Sequence, residues 1–227
     1  SIGVDVDCLP VLDIPFPETH AVIGDRAYAD RPEPVAALGR AAAEGLLAEG
    51  VMPVIKHMPG HGRATVDSHE SLPRGTVTRA ELERTDFVPF KLLADLPWAM
   101  TGHLLFDAID PANAITVSAR GVKEVIRGHI GYDGLLLSDD LSMQALGGSL
   151  AERAERSLAA GCDIALHCNG RMEEMTAIAT RTGAMTEKGA ARFAAGRSFL
   201  DRHLDPADKP GLADAARKLA TMVGEWG

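Results

Sequence analysis

Val51-Met52-Pro53-Val54-Ile55-Lys56-His57-Met58-Pro59-Gly60-His61-Gly62 decides the fold of this chain. The apolar run Val51–Ile55 reads as a buried strand that ends in charge at Lys56 and opens into a loop. Pro59, Gly60 and Gly62 exclude a regular helix beyond it. His57 and His61 are therefore not an i, i+4 pair on one helical face, and a zincin-type metal site loses its geometric basis. Instead, a polar loop carries Lys56, His57, His61, Arg63, Asp67 and His69 at the end of a buried strand. In α/β proteins chemistry is usually placed there.

Working outward, the same unit recurs. Ile2–Leu12 alternates and then runs apolar to Asp13, and a long loop rich in Pro, Asp and Gly follows over Pro15–Arg31. Pro34–Glu49 has a helical apolar stripe stopped by Gly50. Thr78 with Glu81 forms a capping box for a helix to about Leu93, Pro97–Leu104 is a third strand, and Ser118 caps a helix to about Ile130. Leu135–Leu137 is a fourth strand ending in Ser138-Asp139-Asp140. Ser149 opens a helix to Gly161, Cys162–Leu166 is a fifth strand, and helices are expected over Arg171–Thr182, Thr186–His203 and Leu212–Trp226.

Near-continuous apolar strands alternating with helices imply a parallel sheet covered by helices. Polar residues gathered at the strand ends (Asp13, Lys56, His103, Asp139, Asn169) fit an α/β fold of the (β/α)8 TIM-barrel type. A closed barrel needs eight strands and five are legible, so about three N-terminal βα units are expected to lie outside this chain. An open five-stranded sheet of flavodoxin type is the alternative. Residues 1–227 read as one domain, a partial barrel with a C-terminal helical segment from about residue 171.

Composition narrows the function classes. Of 227 residues, 46 % are hydrophobic and 4 % aromatic, so the core is built mostly from aliphatic side chains. A formal charge of −9 argues against nucleic acid and anionic membranes as partners. Cys8, Cys162 and Cys168 form no even framework and no CxxC pair, which points to a reducing compartment. No apolar run approaches the ~18 residues of a membrane helix.

Three constellations carry chemistry. In Asp67-Ser68-His69 a carboxylate two residues from an imidazole can fix its tautomer for proton transfer, or both can be solvated loop residues. In Ser138-Asp139-Asp140 paired carboxylates close a buried strand. They suit a nucleophile, metal ligand or base, or one simply caps a turn, and adjacent side chains diverge, so one of them faces a pocket. Lys56-His57 can grip hydroxyls or an anion, and Arg26 in Gly24-Asp25-Arg26-Ala27-Tyr28 can bind a ligand or tie down its loop. His103 and His167 stand at strand ends, where a structural role is the commoner one. Cys162 and Cys168 read as small apolar packing groups, and Met143 as core or loop packing.

Taken together, Lys56–Gly62, Asp67-Ser68-His69 and Leu136-Leu137-Ser138-Asp139-Asp140-Leu141-Ser142-Met143 resemble glycoside hydrolase family 3. Within it the chain is similar to the bacterial β-N-acetylglucosaminidases of peptidoglycan recycling, and that resemblance implies the cytoplasm. Pro10-Val11-Leu12-Asp13, Gly24–Tyr28 and Ala160-Gly161-Cys162-Asp163 follow in the expected order. The resemblance implies a retaining exo-β-N-acetylglucosaminidase acting on peptidoglycan fragments, the anhydro-muropeptides. Asp139 would be the nucleophile forming a glycosyl-Asp intermediate, His69 the acid/base and Asp67 its dyad partner. Arg26, Lys56 and His57 would bind the sugar, with no cofactor and no metal. Two alternatives stand beside this one: a metal-dependent hydrolase using His57, His61, Asp67 and His69, and a non-catalytic sugar-binding or inactive truncated barrel.

Overall fold

The computed structural model describes residues 3–17, 23–64, 66, 68, 71–203, 217 and 221. Four strands form a parallel sheet: β1 (Val6–Asp7), β2 (Met52–Met58), β4 (Trp98–Thr101) and β6 (Leu135–Leu137), in the spatial order β1-β2-β4-β6. Their registers pair Val6 with Met52, Val54 with Trp98 and Trp98 with Leu135. The expected fifth strand takes its place beside β6. Leu137 bridges to Ile164, and Ser138 N–H donates to the Ile164 carbonyl at 2.9 Å. The first strand is joined to β2 again beyond its ladder, where Val11 bridges to Lys56. Five extended segments thus lie side by side with all polar ends pointing one way, as the strand–helix repeat requires.

Helices cover the sheet. Helix α1 (Pro32–Ala48) starts on two prolines, whose fixed φ suits a first helical turn, and buries Val35, Ala36, Ala43 and Leu47 against β2. A second pair of strands, β3 (Arg74–Gly75) and β5 (Leu105–Phe106), forms a small parallel ladder beyond the sheet that the sequence pattern does not announce. The single helix expected from Thr78 to Leu93 is two: α2 (Arg79–Arg84), capped by Thr78 Oγ1, and α3 (Val88–Leu92). Pro89, in the first turn of α3, has no N–H to carry α2 onward, so the chain breaks at Thr85–Phe87.

Gly121–His129 is a helix with wide π-type hydrogen bonding, seen in Ile130 N–H to the Val125 carbonyl at 2.9 Å. Helix α4 (Leu150–Ala160) carries a full capping box between Ser149 and Glu152 and ends at Gly161, whose φ of 115° only glycine adopts readily. Helices α5 (Met172–Thr182) and α6 (Glu187–His203) follow. The expected helix Leu212–Trp226 lies outside the described residues apart from 217 and 221.

The main core is aliphatic with a few rings. Leu12, Ile14, Val54, Ile55, Leu135 and Leu136 come from strand segments, and Phe87, Phe90, Phe106 and Tyr132 fill the space beneath the helices. No helix among the described residues is long and apolar enough to cross a membrane.

Candidate active site

β2 runs two residues further than its apolar pattern predicts, so His57 sits on the strand rather than in the loop. The Lys56–His57 and Met58–Pro59 peptide bonds are both cis. Past Pro59 the chain turns back so closely that a Cβ on Gly62 would lie 1.7 Å from the Ile14 carbonyl oxygen, and only glycine fits.

Asp13, at the end of the first strand segment, is fully buried and closes this corner. Its Oδ2 accepts from His57 Nδ1 at 2.6 Å. Its Oδ1 accepts the backbone N–H of His61 at 2.6 Å and that of His57 at 3.3 Å. Burial alone pushes the Asp13 carboxyl up, but the His57 ring, its hydrogen bond and His61 outweigh that and hold it below the ordinary value of 3.8. His61 is buried, its ring centroid 5.5 Å from that of His57, and its Nδ1 has no hydrogen-bond partner among the described residues. Burial, joined by the electrostatic interaction with the His57 ring, lowers His61 to about 4, so it is neutral at pH 7.

Beyond Gly62 the loop is pinned by Arg63. Its guanidinium donates to Asp86 (2.8 Å), Thr85 Oγ1 (3.0 Å) and Glu81 (3.3 Å), and lies 3.8 Å above the centre of the Phe16 ring. Thr65, Asp67, His69 and Glu70 lie outside the described residues, so the expected acid/base His69 and its partner Asp67 have no described position. Ser68, between them, is buried and lines the cavity described next.

A cleft of about 250 Å³ opens at the polar ends of the strands. Arg26, Lys56, His57 and Asp139 all line it, so four of the six residues singled out in the sequence come together there. Arg26 stands at the end of a single turn, Gly24–Arg26. Both carboxylates after β6 reach the cleft wall, but they differ. Asp140 is taken up by its own turn and by the end of the fifth strand segment: its oxygens accept from Ser142 N–H (3.0 Å), Ser142 Oγ (2.5 Å) and Cys168 N–H (3.1 Å). Asp139 accepts the Asp140 N–H on Oδ1 at 2.8 Å. No second hydrogen bond to its carboxylate is made among the described residues. Burial by itself raises the Asp139 carboxyl; His57, His103, the Asp140 amide and His61 together bring it below the ordinary range. Asp139 thus keeps Oδ2 without a hydrogen bond among the described residues.

His103 does not line the cleft. Its ring spans from Thr116 Oγ1 (2.8 Å) to the Asp140 carbonyl (3.0 Å) and so braces the turn that carries Asp139. A carbonyl only accepts, so Nε2 must carry the proton. Cys168, expected as an apolar packing group, is instead exposed and lines the cleft, because it follows the last strand on the open side. Met143 lines it too. Among the described residues no group of three or more His, Cys, Asp or Glu side chains is arranged to hold a metal ion. Asp67 and His69, two of the four ligands in the metal alternative, lie outside them.

In the sequence Asp13 is marked as a strand-end polar residue and as part of the Pro10-Val11-Leu12-Asp13 stretch, without a role in the site assigned to it. Its partners are 44 and 48 positions away, and no local pattern announces them. The one available signal is that β1 and β2 are consecutive parallel strands, which puts their ends side by side.

The sequence profile of the glycosyl hydrolase family 3 N-terminal domain matches residues 1–192. A beta-hexosaminidase of Alkalilimnicola ehrlichii is 46 % identical over 173 residues, covering 74 % of this chain and 49 % of that protein. One of Pseudomonas aeruginosa is 40 % identical over 182 residues, covering 79 % and 54 %. Among solved structures, NagZ of Neisseria gonorrhoeae in complex with N-trifluoroacetyl-D-glucosamine superposes with a TM-score of 0.75 at 31 % identity, over 89 % of this chain and 65 % of that one. A glycoside hydrolase family 3 beta-N-acetylglucosaminidase of Paenibacillus gives 0.78 at 30 % identity, over 93 % and 43 %. The chain spans about half the length of the curated relatives it matches.

Proposed function

The chain belongs to glycoside hydrolase family 3, with the TIM-barrel-type α/β fold of that family's N-terminal domain, and from that premise we propose that the protein is a retaining exo-β-N-acetylglucosaminidase. The observation that carries this reading is the cleft lined together by Asp139, whose carboxyl its surroundings hold below the ordinary range, and by Arg26, Lys56 and His57. Its relatives named beta-hexosaminidase, and the NagZ structure holding an N-acylated glucosamine, support the choice of sugar. Residues 1–227 act as one partial barrel domain in this proposal.

In the first step Asp139 attacks the anomeric carbon as the glycosidic C–O bond breaks, and the leaving oxygen takes a proton from His69. In the second, water attacks the same carbon, gives its proton to His69 and releases the Asp139 carboxylate. Most retaining glycosidases use two carboxyl groups; an imidazole acid/base avoids placing a second anion opposite a nucleophile that must stay ionised. Asp67 holds the His69 tautomer. Arg26, Lys56 and His57 grip the sugar hydroxyls and hold the ring in place for attack. Substrates are terminal β-linked N-acetylglucosamine residues on peptidoglycan fragments. The absence of any described disulfide among three free thiols fits action in the cytoplasm.

Hydrolysis of an aryl N-acetyl-β-glucosaminide by the full-length protein tests the reaction. Turnover with retained β-configuration in the first-formed sugar is expected, with release of N-acetylglucosamine from anhydro-muropeptides. Inversion at the anomeric carbon, or binding of the sugar without turnover, overturns the reading.

A further inference from the structure

We propose that Asp13 is a positioning residue for the sugar-binding His57: its buried carboxylate fixes the orientation and tautomer of that ring, so that Nε2 is the nitrogen turned to the substrate. The inference rests on the proposed function for its substrate, though not for its geometry.

Asp13 is 0 % exposed and is faced by His57 from β2 and by His61 from the loop beyond it. Three N–H groups converge on its two oxygens, and two of them belong to His57 itself, the backbone amide and ring Nδ1. The residue is thus held at both ends by one carboxylate. A carboxylate only accepts, so Nδ1 must carry a proton whatever the charge of the ring. The ring lines the cleft, and Nε2 is on the edge turned away from Asp13. The other charged and titratable groups acting on this corner are Lys56, His61, His103, Asp139 and Cys8, and none of them hydrogen-bonds His57 Nδ1 among the described residues. Asp13 therefore does for a ground-state sugar contact what a buried carboxylate does for an acid/base histidine: it leaves one nitrogen, in one direction, for the ligand.

Asp13→Asn reverses this in a forced way. The Oδ1 position accepts two backbone N–H groups, which cannot become acceptors, so the amide oxygen must stay there. The amide N–H then faces His57 Nδ1, which has to accept, and the proton moves to Nε2.

The test uses the full-length protein with 15N-labelled histidine. NMR of the wild-type ring should show a proton on Nδ1 of His57, and Asp13→Asn should move it to Nε2. In the same variant kcat/KM on an aryl N-acetyl-β-glucosaminide should fall roughly 10- to 100-fold. The loss should lie mainly in KM, with the urea unfolding midpoint showing a folded protein. In a His57→Ala background Asp13→Asn should change kcat/KM less than about twofold, because the residue it acts through is gone. A wild-type His57 ring without a proton on Nδ1 overturns the inference and needs no variant to fold. So does an equal loss in the His57→Ala background, which would mean that Asp13 acts only on the path of the loop. If wild type does not turn over the substrate, the proposed function falls while the ring tautomer still decides this inference.

Discussion

Two buried carboxylates stand at opposite ends of the same sheet and do opposite work. Asp163, at the entry of the fifth strand, has a side chain only 5 % exposed and is bound by two guanidinium groups. Arg127 reaches Oδ2 at 3.0 Å, Arg192 reaches Oδ1 at 3.0 Å, and the Leu136 amide adds a bond at 2.9 Å. Arg127 also donates to the carbonyls of Tyr132 and Gly134, and Arg192 ties in Asp133. Apart from the Leu136 amide, its partners are guanidinium groups that stay charged at any working pH, so this end is a clamp between the sheet, α6 and the Gly121–His129 helix. Asp13, at the exit end, is bound by a histidine ring and two backbone amides, and the ring offers its second nitrogen to a cleft. Barrel folds place stability at the entry face and chemistry at the exit face. The choice of guanidinium or imidazole partner is how this sequence makes that division.

The comparison breaks most visibly at Asp139. Asp139→Asn should reduce kcat on the order of 10⁴-fold while urea unfolding stays within about 1 kcal/mol of wild type. An equal loss of stability would place Asp139 with Asp163 instead. Asp163→Ala should behave in the reverse sense. It takes the shared carboxylate from two part-buried arginines, leaving Arg127 only the Tyr132 and Gly134 carbonyls and Arg192 only Asp133, and should cost about 3 kcal/mol in urea unfolding, with kcat of the folded fraction unchanged.

Gly62→Ala should cost about 3 kcal/mol, because the new Cβ meets the Ile14 carbonyl oxygen and the backbone itself must move. Unlike Asp163→Ala it should also weaken sugar binding, since His57 and His61 share that corner; calorimetric titration with N-acetylglucosamine reads this. The pH dependence sharpens the comparison further. Asp13 and Asp139 are both held below the ordinary carboxyl value of 3.8. Their contribution to stability is complete above that value and is lost as pH falls through the lowered one. Unfolding monitored from pH 6 downward should steepen below about pH 4, and Asp13→Asn should flatten that fall by removing one of the two protons taken up. The smallest effect belongs to the surface. Arg181→Ala, which breaks an exposed pair with Glu155, should leave both the unfolding midpoint and kcat unchanged within error.

What was legible in the sequence was local. Apolar runs of three to five residues between helical stripes fix the strands, and the polar residues that end them fix the face of the cleft. Arg26, Lys56, His57 and Asp139 were therefore found from their own neighbourhoods, and the motif resemblance gave them roles. The long-range pairings were not legible. Asp13 meets His57 across 44 positions and Arg63 meets Asp86 across 23, and both contacts depend on strand register and on the break between α2 and α3. That break was missed because the capping box at Thr78 is a strong start signal, while Pro89 acts only on the backbone bond it removes. Cys168 was misread for a related reason. Its apolar character is local, but its exposure follows from the side of the sheet on which the last strand ends.

The central claim is that Asp139 carries the sugar covalently. An activated 5-fluoro N-acetyl-β-glucosaminyl donor, incubated with the full-length protein and followed by peptide mapping in a mass spectrometer, tests it most directly. The account predicts a single glycosyl ester on the peptide containing Ser138-Asp139-Asp140, located on Asp139 and absent in Asp139→Asn. Turnover of the donor with no trapped ester, or an ester on another carboxylate, contradicts it.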